Sequence, residues 1–122
     1  MDPYQEQILE HYKDPLNFGL LDHAPYARKE FNPTCGDSFT FSMIVNEAGV
    51  IEQVGFTGEG CAVSTAAASM LSEAIKGKTL QETLELKPEF VLELLGIELG
   101  PTRLKCALLP LQAVTRITLP PV

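Results

Sequence analysis

Apolar residues near the start of the chain recur at Tyr4, Ile8, Leu9 and Tyr12, about one helical turn apart, with Asp2-Pro3 ahead of them. An Asp able to cap and a Pro suited to a first turn predict a helix there. Its end falls near Asp14-Pro15, because proline disfavours helix at the residue before it. From Leu16 to Glu30 the periodicity fails; Asn17, Gly19, Asp22, His23 and Pro25 predict a loop, with a short edge strand around Tyr26 to Phe31. Strict alternation sets in at Ser38. Phe39, Phe41, Met43 and Val45 share one face and Ser38, Thr40, Ser42 and Ile44 the other, the pattern of a half-buried strand. Asn46-Glu47-Ala48-Gly49 is turn material, and Val50 to Phe56 supplies the partner strand of an antiparallel hairpin.

A sheet face of this kind needs a cover. Ala62 to Lys76, rich in alanine and carrying Met70, Leu71 and Ile75, predicts a helix closed by Gly77. Thr79-Leu80-Gln81-Glu82 has the capping-box pattern of a short helix, and Pro88 to Leu95, closed by Gly96, predicts another. Leu99-Gly100-Pro101-Thr102 reads as a loop. Cys106 to Ile117 reads as the last helix, with Pro110 tolerable only in its first turn.

The 122 residues, 45% hydrophobic and 20% charged, imply one globular domain over residues 1–122. Nine Lys and Arg against sixteen Asp and Glu give a net charge of −7, which counts against a nucleic-acid partner. No apolar run approaches the ~18 to 20 residues of a membrane span. The acidic start, Met1-Asp2-Pro3-Tyr4-Gln5-Glu6, lacks the basic and apolar regions of an export signal, so a cytoplasmic protein without a membrane partner is expected.

Three cysteines are too odd a number for a closed disulfide framework, and in a reducing compartment they point to ligands, nucleophiles or core residues. Cys35 lies in the turn Asn32-Pro33-Thr34-Cys35-Gly36-Asp37. Cys61 follows Gly55-Phe56-Thr57-Gly58-Glu59-Gly60, read as a glycine-rich loop, and directly precedes the alanine-rich helix. Cys106 follows Arg103-Leu104-Lys105 at the expected start of the last helix. All three therefore fall at expected element ends. A helix N-terminus or a nearby cation lowers a thiol's pKa; Cys61 and Cys106 have the first, and Cys106 also has Lys105.

With Asp37 as an oxygen donor, three thiolates and a carboxylate satisfy a tetrahedral zinc ion or hold a small iron-sulfur cluster. Yet the cysteines stand 26 and 45 positions apart, unlike any Cys-x-x-Cys knuckle. The residues themselves leave open a metal-free interaction module in which Asp37 is a turn residue and the cysteines are small buried hydrophobes. Gly55, Gly58 and Gly60 precede a helix but lack the Lys-Ser/Thr of a phosphate loop. His11 and His23 show no ligand spacing, and nothing sets either beside a thiol. Ser64, Thr65 and Ser69 read as small packing residues, and the charged residues from Thr79 to Glu93 as a solvated face.

Four segments in order resemble the U-type iron-sulfur cluster assembly family, which comprises the IscU and SufU proteins and the N-terminal domain of NifU. They are Tyr4-x-x-x-Ile8-Leu9-x-His11-Tyr12-x-x-Pro15-x-Asn17-Phe18-Gly19, Asn32 to Asp37, Gly58-Glu59-Gly60-Cys61-Ala62-Val63-Ser64-Thr65-Ala66, and Leu104-Lys105-Cys106-Ala107. The resemblance implies an α+β fold, a small antiparallel three-stranded sheet with helices packed on one side. It aligns Cys35, Cys61 and Cys106 with the family's three ligand cysteines, and Asp37 with its aspartate beside the site. It further implies that sulfur arrives as a persulfide from a cysteine desulfurase. IscU-like members combine it with iron into a transient [2Fe-2S] cluster for apo iron-sulfur proteins or carriers, acting as a monomer or weak homo-oligomer. SufU-like members bind zinc through the Asp and three Cys and relay sulfur as sulfurtransferases.

The chain is a hybrid of the two kinds. IscU-like members carry His immediately before the third Cys, and upstream of it a Leu-Pro-Pro-Val-Lys motif read by a chaperone; here the same register holds Lys105 and Leu99-Gly100-Pro101-Thr102-Arg103. Leu119-Pro120-Pro121-Val122 lies after the third Cys instead. Arg103-x-Lys105-Cys106-Ala107 is similar to the SufU kind, whose insertion between the second and third cysteines has no room here. By resemblance the reactive thiol accepting persulfide is Cys106 in the IscU manner or Cys35 in the SufU manner. Lys105 is expected to lower a thiol's pKa, or to pair with Asp37 when metal is absent.

Overall fold

Alternation of aromatic and β-branched residues with small polar ones produces three strands, β1 (Tyr26–Phe31), β2 (Ser38–Val45) and β3 (Ile51–Glu59). In the computed structural model, which describes residues 2–117, they pair antiparallel in the order β1-β2-β3. The Leu119 to Val122 motif lies outside the described residues. Phe39, Phe41 and Met43 of β2 are fully buried, as alternation requires, and Phe41 stacks on Phe56 of β3 with centroids 5.4 Å apart. Each such ring contributes about 1.5–3 kcal/mol by leaving water. On the other face of β2, Ser42 is buried too. Its hydroxyl bonds Gly55 O at 3.2 Å and accepts from Leu21 N–H at 3.1 Å, so the loop after the first helix crosses the sheet there.

Among the described residues, five helices follow the sequence signals with two shifts. Helix α1 (Pro3–Lys13) is capped by Asp2, whose carboxylate accepts from Gln5 N–H. Helix α2 (Ala62–Ala74) is buried along most of its length, and its alanines let neighbouring elements approach closely. It ends before Lys76, with Ile75 as its C-cap; Gly77 lies two residues further on, in the turn at φ +86°. Helix α3 (Leu80–Leu84) opens with the expected capping box between Thr79 and Glu82, and α4 (Pro88–Leu95) closes on left-handed Gly96. Helix α5 (Pro101–Thr115) packs against α2 and against β1 and β2. The α+β arrangement implied by the resemblance is the one found.

Two expectations near the cysteines are corrected. The stretch read as a glycine-rich loop is mostly strand, since β3 continues to Glu59, with Gly58 opposite Phe39 and Glu59 opposite Ser38. Pairing with β2 outweighs the weak strand preference of glycine. Helix α5 starts at Pro101, not at Cys106, because Pro101 occupies the first helical position, where its fixed φ helps and its missing N–H costs nothing. Pro110 therefore lies inside the helix and removes the donor that would reach the Cys106 carbonyl, a defect of about 3 kcal/mol. Burial of Leu109, Leu111, Ala113 and Val114 around it offsets that cost.

Candidate metal centre

Three chain segments meet at one end of the sheet. The turn between β1 and β2 carries Cys35 and Asp37, and its reversal is made by Gly36 at φ +80°, a conformation side chains with a Cβ rarely adopt. The start of α2 carries Cys61, and the second turn of α5 carries Cys106. The Sγ atoms of Cys35 and Cys106 lie 3.2 Å apart. Ligand atoms of Cys35, Asp37 and Cys106 all fall within 4.8 Å of one another. Cys35 is exposed, whereas Asp37 and Cys106 are 8% and 5% exposed. A small pocket of about 100 Å³ opens over the two thiols, lined also by Thr34, Pro101 and Lys105.

Cys61 stands apart from that cluster of three and is exposed. As the N-cap of α2 its sulfur accepts the Ser64 N–H at 3.5 Å. Ser64 then bridges back: its hydroxyl lies 2.9 Å from Asp37 Oδ2 and 3.6 Å from Cys61 Sγ. The reading of Ser64 as a packing residue missed this link. The signal was the Cys61-x-x-Ser64 spacing itself, which sets a capping residue three positions ahead of the amide it caps.

The electrostatics of Cys106 run opposite to the expected direction. Burial pushes its thiol up to about 12, helped by the hydrogen bond to Cys35 and by the negative charge of Asp37. Starting the helix at Pro101 moves Cys106 beyond the first turn, where the helix dipole acts most strongly. Lys105 is exposed on the pocket rim, and among the described residues no ion pair joins it to Asp37. The two histidines stay away from the cluster. His11 bonds Ser69 Oγ at 2.6 Å, and His23 sits in the loop at φ 59°.

The donor set suits a soft or borderline metal, since thiolates select zinc and iron-sulfur chemistry while carboxylate oxygen is tolerated by zinc. Two thiolates on one tetrahedral zinc, each about 2.3 Å from it, lie roughly 3.8 Å apart, so the Cys35–Cys106 pair would open by about half an ångström. Cys35 is the exposed member of the pair and Cys106 the buried one.

Residues 3–118 match the NifU-like N-terminal domain family. The chain belongs to that family. This NifU-like domain is 33% identical to the zinc-dependent sulfurtransferase SufU of Bacillus subtilis, an alignment covering 93% of the chain and 87% of that protein. It is 39% identical to the iron-sulfur cluster assembly scaffold protein IscU of Aquifex aeolicus, over 91% of the chain and 71% of the relative. With IscU of Escherichia coli the identity is 32%, over 91% and 88%. The SufU alignment runs to 130 positions and the E. coli IscU alignment to 114 for nearly the same share of this chain, so in length the NifU-like domain follows IscU. Among solved structures, a scaffold protein described for the SUF system of Fervidobacterium islandicum superimposes with a TM-score of 0.75 at 27% identity, covering 89% of the chain and 91% of its own. A NifU-like N-terminal protein from Brucella abortus gives 0.71 at 20% identity, over 92% and 89%, a likeness of fold.

Proposed function

We propose that this NifU-like domain is a cytoplasmic iron-sulfur cluster assembly protein. It accepts persulfide sulfur from a cysteine desulfurase and carries a transient [2Fe-2S] cluster as cargo for apo iron-sulfur proteins or carriers. Cys35, Cys61 and Cys106 are its metal and cluster ligands, and Asp37 is the fourth ligand or the group that keeps the site labile. The observation that carries this reading is the convergence of Cys35, Asp37 and Cys106 within 4.8 Å in a chain of this family. Among the described residues no helix is long and apolar enough to cross a membrane.

The exposure contrast favours Cys35 as the first acceptor. Its thiolate attacks the terminal sulfur of the donor's persulfide, a new S–S bond forms on Cys35, and the donor cysteine leaves as thiolate, with no net oxidation. Cys106, 5% exposed and with its thiol pushed up to about 12, is the poorer entry point. At 3.2 Å from Cys35 Sγ it stands where the sulfane sulfur can be handed on.

A second reading rests on Lys105, which stands where IscU-like members carry His, and on the likeness to the zinc-dependent sulfurtransferase SufU. In that reading zinc stays bound through Asp37 and the cysteines, and sulfur passes through without cluster formation. Anaerobic incubation with ferrous iron, cysteine and a cysteine desulfurase, followed by visible absorption, separates the two. A cysteine-dependent charge-transfer spectrum, absent from Cys35→Ser, is the expected result. Retained stoichiometric zinc, faster desulfurase turnover and no such spectrum give the relay instead.

A further inference from the structure

Ser64 is fully buried at the third position of α2, yet its hydroxyl has two acceptors within reach. Asp37 Oδ2 lies at 2.9 Å and the Cys61 carbonyl at 3.1 Å, while the Cys61 thiol, 3.6 Å away, donates to the hydroxyl oxygen. A hydroxyl has one proton to give. It goes to the carboxylate, which is the shorter contact and the charged acceptor of the two, and charge-assisted hydrogen bonds are roughly twice as strong as neutral ones. Among the described residues the hydrogen bonds to this carboxylate use Oδ2 alone, so one oxygen is pinned and the other is unengaged.

Independent evidence that the pairing is held comes from Gly60. A Cβ there would collide with Ser64 Oγ and stand 3.0 Å from both Asp37 Oδ2 and the ring tip of Phe39. The hydroxyl and the carboxylate are thus packed into the space that a side chain at residue 60 would fill, with the fully buried Phe39 behind them. Glycine at residue 60 is what leaves the pair that space.

We propose that Ser64 is a positioning residue for the metal centre. It fixes the Asp37 carboxylate as a one-oxygen donor and ties it to the helical turn that bears Cys61, so the two ligand segments move together. The proposal rests on the reading of Asp37 as a ligand. Outer partners that orient a ligand typically govern metal affinity by about 10–100-fold.

The test is a zinc-affinity cycle on the full chain, by competition with a chromophoric chelator, using Ser64→Ala, Asp37→Ala and the double variant. Thermal unfolding of each metal-free protein runs alongside. Ser64→Ala is expected to weaken zinc about 10–100-fold with little change in metal-free melting. Asp37→Ala weakens it at least as much, and the double variant is no weaker than Asp37→Ala. Ser64→Thr, which keeps the hydroxyl, stays near the parent. The wild type gives a second readout: a Ser64 hydroxyl proton protected from solvent exchange by NMR, with the protection lost in Asp37→Ala. Full zinc affinity in Asp37→Ala would overturn the ligand reading itself. A silent Ser64→Ala, effects that add in full, or an unprotected hydroxyl proton would overturn the positioning role and leave the site standing.

Discussion

Helix α2 carries two polar networks a little over one turn apart, both built from serine hydroxyls on a buried helix. At its start, Ser64 meets a carboxylate beside thiols that open to solvent. Further along, Ser69 accepts the Leu16 N–H at 2.8 Å and meets His11 Nδ1 at 2.6 Å. Ser72 bonds the Ser69 carbonyl at 2.6 Å and takes a hydrogen bond from Asn17 Nδ2 at 2.9 Å, while that amide also reaches Glu73 at 3.0 Å. The second network is closed around one loop. It secures α1 and holds Asn17 in a left-handed conformation, φ 59°, which a residue other than glycine adopts at some cost. The first network faces thiols open to solvent; the second turns inward on its own loop and helix. What faces the hydroxyl decides whether a buried serine serves a site or a scaffold.

The sharpest way to break this comparison is to remove a proposed ligand. Cys106→Ser is nearly isosteric, so it should lower zinc affinity by more than the ~10–100-fold of an outer partner while leaving the urea midpoint close to the parent. Equal zinc affinity would remove the first network's claim to be a site. Next in size is Ser69→Ala, which leaves the Leu16 amide and the His11 ring without their shared partner. It is expected to destabilise the fold by about 1–3 kcal/mol in urea unfolding, with zinc affinity unchanged. A drop in zinc affinity there, as large as that of Ser64→Ala, would merge the two networks into one.

Much of the fold was legible because local signals agree with the tertiary result. Asp2-Pro3, the alternation from Ser38, the Thr79–Glu82 box and Gly96 each mark an element where it occurs. Legibility failed where a long-range partner overrode a local preference. Gly58 pairs in a strand because Phe39 stands opposite it, and Pro110 sits inside a helix because the surrounding apolar residues are buried. At the site, the approach of Cys35, Asp37 and Cys106 depends on the turn and on α5 meeting at one end of the sheet, which no spacing of 26 or 45 encodes. The thiol of Cys106 was misjudged for the same reason. Its depth is a property of packing, and moving the helix start by five residues took away the dipole that was to lower its pKa.

The smallest expected effect concerns acid, and it belongs to the second network alone. The Leu16 amide donates into Ser69 Oγ, and His11 Nδ1 pairs with the same hydroxyl; a neutral ring protonated at Nε2 is free to accept the hydroxyl's own proton there. Burial lowers the pKa of His11 below its ordinary 6.5, and the neighbouring Glu10 opposes that only in part; Lys13 and Asp14 line the adjacent hollow. A lowered pKa means that the stabilisation is complete above 6.5 and is lost as pH falls through the folded-state value. A charged ring carries protons on both nitrogens, so Nδ1 can no longer accept from the hydroxyl, and its charge sits partly buried at a cost. Hydrogen exchange at about pH 7.5 and about pH 5.5, corrected for intrinsic rates, should therefore show protection falling in α1 and not in the β2–β3 hairpin. His11→Gln, which has no proton to gain in this range, should show the same α1 protection at both values. If α1 in the parent keeps its protection at the lower pH, the neutral-imidazole account of the closed network is wrong.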